Sequence, residues 1–222
     1  MTKSILVIAA HSDDEALGCA GTIAKHTAEG DHVHVLFMTD GVGSRRSSVD
    51  EVSERHHLSQ KALDILGVKS SENFDLPDNE MDTLSLLNIT KLIETIVDKL
   101  KPEVIYTHHL GDLNIDHQIT HKAVMTACRP QPDMPVREIY AFEVLSSTEW
   151  QTPGLLPFQP NVFVDISDVI TIKKKVLQVY KKEMRKPPHS RNIENALRVN
   201  AMRGNTIGCD FAEAYVCLRL LK

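Results

Sequence analysis

Apolar and polar positions along this chain alternate between two periods. Residues 4–10, Ser4-Ile-Leu-Val-Ile-Ala-Ala10, form a continuous apolar run closed by polar residues, which predicts a strand covered on both faces. Residues 16–29 then carry apolar side chains at helical spacing and stop at Gly30, a suitable C-cap. The alternation continues through a strand at 32–39, a loop at 40–44, a helix at 49–66 closed by Gly67 and a short strand at 73–76 ended by Pro77-Asp78-Asn79. A helix at 83–100 and a strand at 103–108 follow. Repeated strand and helix predict parallel strands joined by crossover helices, a doubly wound α/β fold with a mostly parallel sheet and helices on both faces. After Arg129 the order changes, with strands expected at 136–145 and 161–166 and helices at 170–184 and 192–203. No repeat, low-complexity stretch or linker interrupts the chain, so 1–222 is read as a single domain with 130–222 packed onto the sheet.

Composition narrows the class. The 222 residues are 42% hydrophobic and 25% charged, the proportions of an ordinary globular protein. No apolar run approaches the roughly 18 residues of a membrane span, so a membrane is excluded as a partner. The start, Met1-Thr2-Lys3-Ser4, leads into a strand with no cleavage-site pattern, which predicts no secretory signal and a cytoplasmic protein. With 25 Lys and Arg against 30 Asp and Glu the net charge is −5, which argues against nucleic acid as a partner. Cys19, Cys128, Cys209 and Cys217 make no C-x-x-C pair and read as thiols in a reducing compartment. The basic helix with Lys173-Lys174-Lys175 and Lys181-Lys182 reads as a solvated face. Eleven histidines remain to be sorted, and histidine is the commonest metal ligand.

In open α/β sheets, ligands bind at the carboxyl ends of the strands. The turn after the first strand is Ala10-His11-Ser12-Asp13-Asp14-Glu15. A dinucleotide fold would place G-x-G-x-x-G here, facing a pyrophosphate, whereas three successive acids repel one. The acids suit a helix N-terminus, and capping alone is one reading. The other is that His11 and Asp14, three residues apart across a strand-to-helix turn, converge on one cation and leave Asp13 to act as a base. Spacing alone does not choose between them.

The segment Thr107-His-His-Leu-Gly-Asp-Leu-Asn-Ile-Asp-His117 follows another apolar strand at the same edge and opens a helix. His117 would complete a set of two histidines and one aspartate that leaves a zinc position open for water. Asp116 is then a candidate to orient an imidazole and serve the catalytic machinery.

These residues carry a family resemblance. His11-Ser12-Asp13-Asp14-Glu15 resembles the His-Pro-Asp-Asp-Glu signature of the LmbE-like / PIG-L family of zinc-dependent N-acetylglucosaminyl deacetylases, and Asp112-Leu-Asn-Ile-Asp-His117 resembles its second motif. Leu76-Pro-Asp-Asn79, 142–150, Pro188-His-Ser-Arg191 and 203–214 are similar to its general pattern. The resemblance implies a Rossmann-like fold, zinc held by His11, Asp14 and His117, and Asp13 as general base. It also implies that Arg55 grips sugar hydroxyls, that the C-terminal third helps to form the substrate pocket, and that the chain assembles as a homo-oligomer. Ser12 departs from the proline of the signature, and Asn114 stands where several members have a histidine that stabilises the oxyanion or protonates the leaving amine.

The expected activity is removal of the N-acetyl group from an N-acetylglucosamine-type sugar or glycoside by attack of zinc-bound water, releasing acetate. Deacylation of another amide, such as an antibiotic or thiol-glycoside precursor, and a non-catalytic metal-stabilised binding module are the alternatives. Iron, cobalt or manganese also suit two histidines and an aspartate. Besides Arg55, the expected substrate-binding residues are Asn114, His108 and His189; of His108 and His109, one should point inward. Asp40 and Asp78 either hold hydroxyls or make turns. Glu143 either lines a polar pocket or lies in a loop, and Trp150 either stacks on a sugar or packs.

Overall fold

The computed structural model describes residues 2–43 and 49–222; Ser44, the end of the expected loop, lies outside them. Seven strands form one sheet in the order β3-β2-β1-β4-β5-β7-β6, with β1 Ser4–Ala9, β2 His32–Thr39, β3 Ser70–Leu76, β4 Val104–His108, β5 Glu138–Phe142, β6 Val162–Asp165 and β7 Ala212–Leu220. The first five in sequence pair in parallel, and β7 runs antiparallel between β5 and β6. The helices are α1 Asp14–Gly18, α2 Ala20–Ala28, α3 Val49–Leu66, α4 Leu86–Leu100, α5 Ile115–Ala127, α6 Ile170–Val179 and α7 Ile193–Ile207.

Period-two alternation in the buried strands builds two cores. Ile5, Val7 and Ala9 of β1 face α1, α2, α3, α6 and α7 in one. Leu6 and Ile8 face α4 and α5 in the other, where Ile89, Ile93, Ile96 and Val97 form the apolar stripe of α4. The chain moves outward from β1 through β2 to β3, then returns to add β4 on the other side of β1. This reversal is a topological switch point, and the loops after β1 and β4 meet there.

β3 begins at Ser70 where a strand is expected from 73, β5 spans Glu138–Phe142 within the expected 136–145, and α6 ends at Val179 where a helix is expected to 184; four further expectations are corrected. The helix expected at 16–29 is broken at Cys19, with a backbone far from helical (φ −146°, ψ 18°). The break has distant causes: Lys173 Nζ donates to Leu17 O (2.9 Å), and the Glu213 carboxylate accepts from Gly21 N (2.8 Å) and Thr22 N (2.7 Å) at the start of α2. Gly18 and Gly21 permit this, because a Cβ would lie 2.4 Å from Phe142 or 2.6 Å from Ile166. Secondly, Lys173 is not on a solvated face: it is wholly buried and pairs with Glu213 at 2.6 Å. Thirdly, the helix expected from 83 starts at Leu86, where the Ser85 hydroxyl caps Asn88 N, after a separate 3-10 turn at Met81–Thr83. Lastly, β7 was not foreseen as a strand at all; it places the C-terminal third in the same sheet as β1. Among the described residues no helix is long and apolar enough to cross a membrane.

Candidate metal centre

His11 and Asp14 come from the β1 turn and His117 from the first turn of α5. The Asn114 side chain caps α5, accepting from Asp116 N (2.8 Å) and His117 N (3.4 Å), and so sets the angle at which the helix presents His117. His11 Nδ1 lies 3.1 Å from Asp14 Oδ2 and 3.2 Å from His117 Nε2, and those two atoms are 3.2 Å apart. All three residues are buried. Three N and O donors around one small ion, each about 2.0 Å from it in a tetrahedral site, stand about 3.3 Å apart. The side chains fit that face.

The far nitrogens of both rings meet carboxylates. His11 Nε2 lies 3.0 Å from Asp78 Oδ1 and 3.2 Å from Asp116 Oδ2, and His117 Nδ1 lies 3.1 Å from Asp112 Oδ2. Protons on these outer nitrogens leave His11 Nδ1 and His117 Nε2 as lone-pair donors toward one point. The carboxylates are themselves held. Asp116 accepts from Asn79 N (2.6 Å) and Met81 N (3.1 Å), and Asp112 accepts from Thr148 Oγ1 (2.8 Å) and Ser147 Oγ.

The electrostatics of the cluster suit a cation. Burial works to lower the His11 pKa and to raise that of Asp14, but the contacts win: Asp116, Asp14 and Asp78 raise His11 well above its ordinary value, and His117 and His11 hold Asp14 well below the usual carboxylate range. Against burial, Asp14 and Asp112 push His117 up to about 9. Protons thus occupy nitrogens that a divalent ion would claim, in a field set by buried acids.

Asp13 stands apart from the three donors. Its backbone is in a strained region at φ 127°, rarely adopted by a side-chain-bearing residue. The turn is held by Glu15, whose Oε2 accepts Asp13 N (2.9 Å) and whose Oε1 accepts the Tyr180 hydroxyl (2.8 Å). Burial pushes Glu15 up to about 7 in spite of these bonds. Arg191 Nη1 donates to Asp13 Oδ2 at 2.8 Å, while Oδ1 is buried without a hydrogen-bond partner, 3.7 Å from Arg55 Nη2. Burial raises the Asp13 carboxyl above its ordinary value, with the two arginines opposing.

The other sequence candidates fall in different places. Arg55 is buried between Asp13 and Glu183, with Nη1 2.7 Å from Glu183 Oε1, and borders a cavity of about 190 Å³. Besides capping α5, Asn114 donates to Asn79 Oδ1 (3.0 Å). His108 is fully buried, stacks on His117 with ring centroids 3.9 Å apart and accepts from Ala10 N (2.8 Å). Burial and neighbouring His117 keep it neutral. His189 packs edge-on against half-exposed Trp150 and accepts from Arg191 N (3.0 Å); it is not brought into the cluster. His109 meets Leu156 O, Asp40 caps its own turn through Val42 N and Gly43 N, and Glu143 makes a two-bond pair with Arg203.

Sequence reasoning gave Asp78 only hydroxyl or turn roles and did not single out Arg191 or Tyr180. Asp78 had a signal, an acid at the carboxyl end of a strand. Arg191 and Tyr180 had no local one, since each meets the turn from more than 160 residues away (178 and 165).

A family model described as PIG-L, GlcNAc-PI de-N-acetylase, matches residues 6–128. The uncharacterized deacetylase YaiS of Escherichia coli strain K12 is 31% identical over 81% of this chain and 91% of its own. A 4-oxalmesaconate hydratase of Pseudomonas putida is 28% identical over 79% of this chain and 72% of its own. The structure of N,N'-diacetylchitobiose deacetylase from Pyrococcus horikoshii superposes with a TM-score of 0.79 at 22% identity, covering 98% of this chain and 84% of that one. At that identity the superposition speaks for the fold.

Proposed function

This chain belongs to the PIG-L, GlcNAc-PI de-N-acetylase, family, and on that premise we propose that it is a metal-dependent hydrolase that removes the N-acetyl group from an N-acetylglucosamine-type sugar or glycoside. The observation that carries the reading is the face of three donors, 3.1–3.2 Å apart, with a separate strained carboxylate beside it. His11, Asp14 and His117 would hold the ion, zinc in the first instance, with iron, cobalt or manganese suited to the same donors. When bound, such an ion lowers the pKa of water and polarises a carbonyl.

The remaining work belongs to the chain. Asp13 takes the proton of the attacking water on Oδ1, the oxygen without a hydrogen-bond partner, and returns it to the amine as the C–N bond breaks, releasing acetate. Asp116 and Asp78 hold the His11 ring, and Asp112 holds that of His117, so the donors do not have to reorganise during turnover. Asn114 contributes by fixing the start of α5. His108 backs the His117 ring from the buried side, which is a positioning role. Arg55, shared between Asp13 and Glu183, is a second cation near the base and is suited to sugar hydroxyls; the C-terminal third reaches the base through Arg191.

The test is acetate release from a panel of N-acetylglucosamine derivatives before and after chelation, with zinc restored. The reading requires acetate that disappears on chelation and returns with the metal. It fails when zinc-loaded protein releases none from any sugar. The hydratase relative favours one second reading, addition of water to an unsaturated acid, since an activated water and a proton-moving carboxylate serve both reactions. Consumption of a conjugated unsaturated acid, with no acetate from any sugar, would select it.

A further inference from the structure

We propose that Arg191 is a positioning residue for the Asp13 carboxylate: it holds Oδ2 so that Oδ1 is the oxygen presented for proton transfer, an assignment that rests on reading Asp13 as the base. Asp13 has two arginines near it, and geometry separates them. Arg55 meets Oδ1 only at ion-pair distance, 3.7 Å, with its Nη1 beside Glu183 Oε1 at 2.7 Å. Arg191 donates to Oδ2 at 2.8 Å.

The guanidinium is itself fixed. Its Nε donates to Ser146 Oγ (3.0 Å) and Leu145 O (3.3 Å). Its backbone N–H donates to His189 Nδ1 (3.0 Å), and its carbonyl accepts from Arg185 N (2.7 Å), which closes the loop that carries it. A planar fork tied at Nε and at Nη1 fixes the plane of the carboxylate it meets. The strained backbone of Asp13, at φ 127°, and the Glu15 bond to its N–H fix where the side chain starts, but neither fixes its rotation. Arg191 supplies that constraint. Oδ1 keeps no hydrogen bond, with Arg55 at 3.7 Å, and so has its lone pairs available to take a proton. A lysine at this position would keep the charge and lose the anchor at Ser146 and Leu145.

The test uses full-length, metal-loaded Asp13→Asn, Arg191→Ala, Arg191→Lys and the Asp13→Asn/Arg191→Ala double variant. Acetate release from N,N'-diacetylchitobiose is followed, together with metal content and the crystal structure of Arg191→Ala. Arg191→Ala should lower kcat by about 10–100-fold with KM changed less than about threefold, because misplacing a reacting group by about 1 Å costs that much. Arg191→Lys should recover part of the loss, and both should keep their metal. In the Asp13→Asn background Arg191→Ala should change kcat by less than about threefold, since residues that act through one another are not additive. In the Arg191→Ala crystal, Asp13 should occupy a second rotamer, a readout independent of turnover.

Additive losses, a raised KM at unchanged kcat, a silent Arg191→Ala or an unmoved Asp13 side chain would each overturn the positioning role. Wild-type kcat in Asp13→Asn would instead overturn the base reading, and with it this assignment.

Discussion

The segment up to Cys128 and the segment after it converge on one turn with different chemistry. The first, which contains all of the residues matched by the family model, brings the donors and the acids behind them: His11, Asp14, Asp78, Asp112, Asp116 and His117. The second brings mainly cations and hydroxyls: Arg191 on Asp13, Tyr180 on Glu15, and Ser147 and Thr148 on Asp112. A cluster of buried acids is costly by itself. The second segment hydrogen-bonds Asp112, Asp13 and Glu15, while Asp116 is held by backbone N–H groups of the first segment, and the face of three donors is left open. Deeper in the fold the second segment braces the first in another way, with the Lys173–Glu213 pair: Lys173 reaches Leu17 O and Glu213 caps α2.

The largest effect that tests this division is His117→Ala. It should remove metal retention and turnover together, as metal analysis and acetate release would show; a variant that kept both would break the assignment of the first segment. Next in size is Lys173→Met, which leaves Glu213 buried without its cation. It should cost about 3–5 kcal/mol in denaturant unfolding of the metal-free protein, and a change under about 1 kcal/mol would show that the second segment does not brace α1 and α2. Asp112→Asn should weaken metal affinity by about 10–100-fold with the fold intact, the usual cost of losing a carboxylate behind a ligating histidine.

The smallest effect is graded with pH. His117 is raised to about 9, so below that pH the metal-free ring carries a proton that an ion must displace. Metal binding at pH 7 should therefore release protons, measurable in weakly buffered solution, and apparent affinity should fall about tenfold per pH unit for each displaced proton as the pH drops. Affinity independent of pH between 6 and 9 would contradict the field described for the cluster.

The same contrast explains what was legible in the sequence. His11 and Asp14 sit within four residues at the end of an apolar strand, and His117 follows a second such strand. Their grouping could be read because the parallel fold itself brings those loops together. The break at Cys19 could not, since its causes, Lys173 and Glu213, act from 156 and 192 residues away. Lys173 lies in a run of three lysines that looks like a solvated face; only packing against Glu213 tells it from Lys174 and Lys175. The strand β7 was missed because it pairs antiparallel between β5 and β6, outside the strand-helix rhythm that revealed the others. Arg191 was visible only as part of a general pattern, with no partner nearby in sequence.

Holding the ion falls to His11, Asp14 and His117 in this proposal, and moving the proton to Asp13, which sits between two of them in the β1 turn. Metal content per chain, measured beside acetate turnover in wild type and Asp13→Asn, tests it most directly. Both should hold equal metal, and kcat should fall by about 10²–10⁴ in the variant. Loss of the metal from Asp13→Asn, or turnover at the wild-type rate, would contradict it.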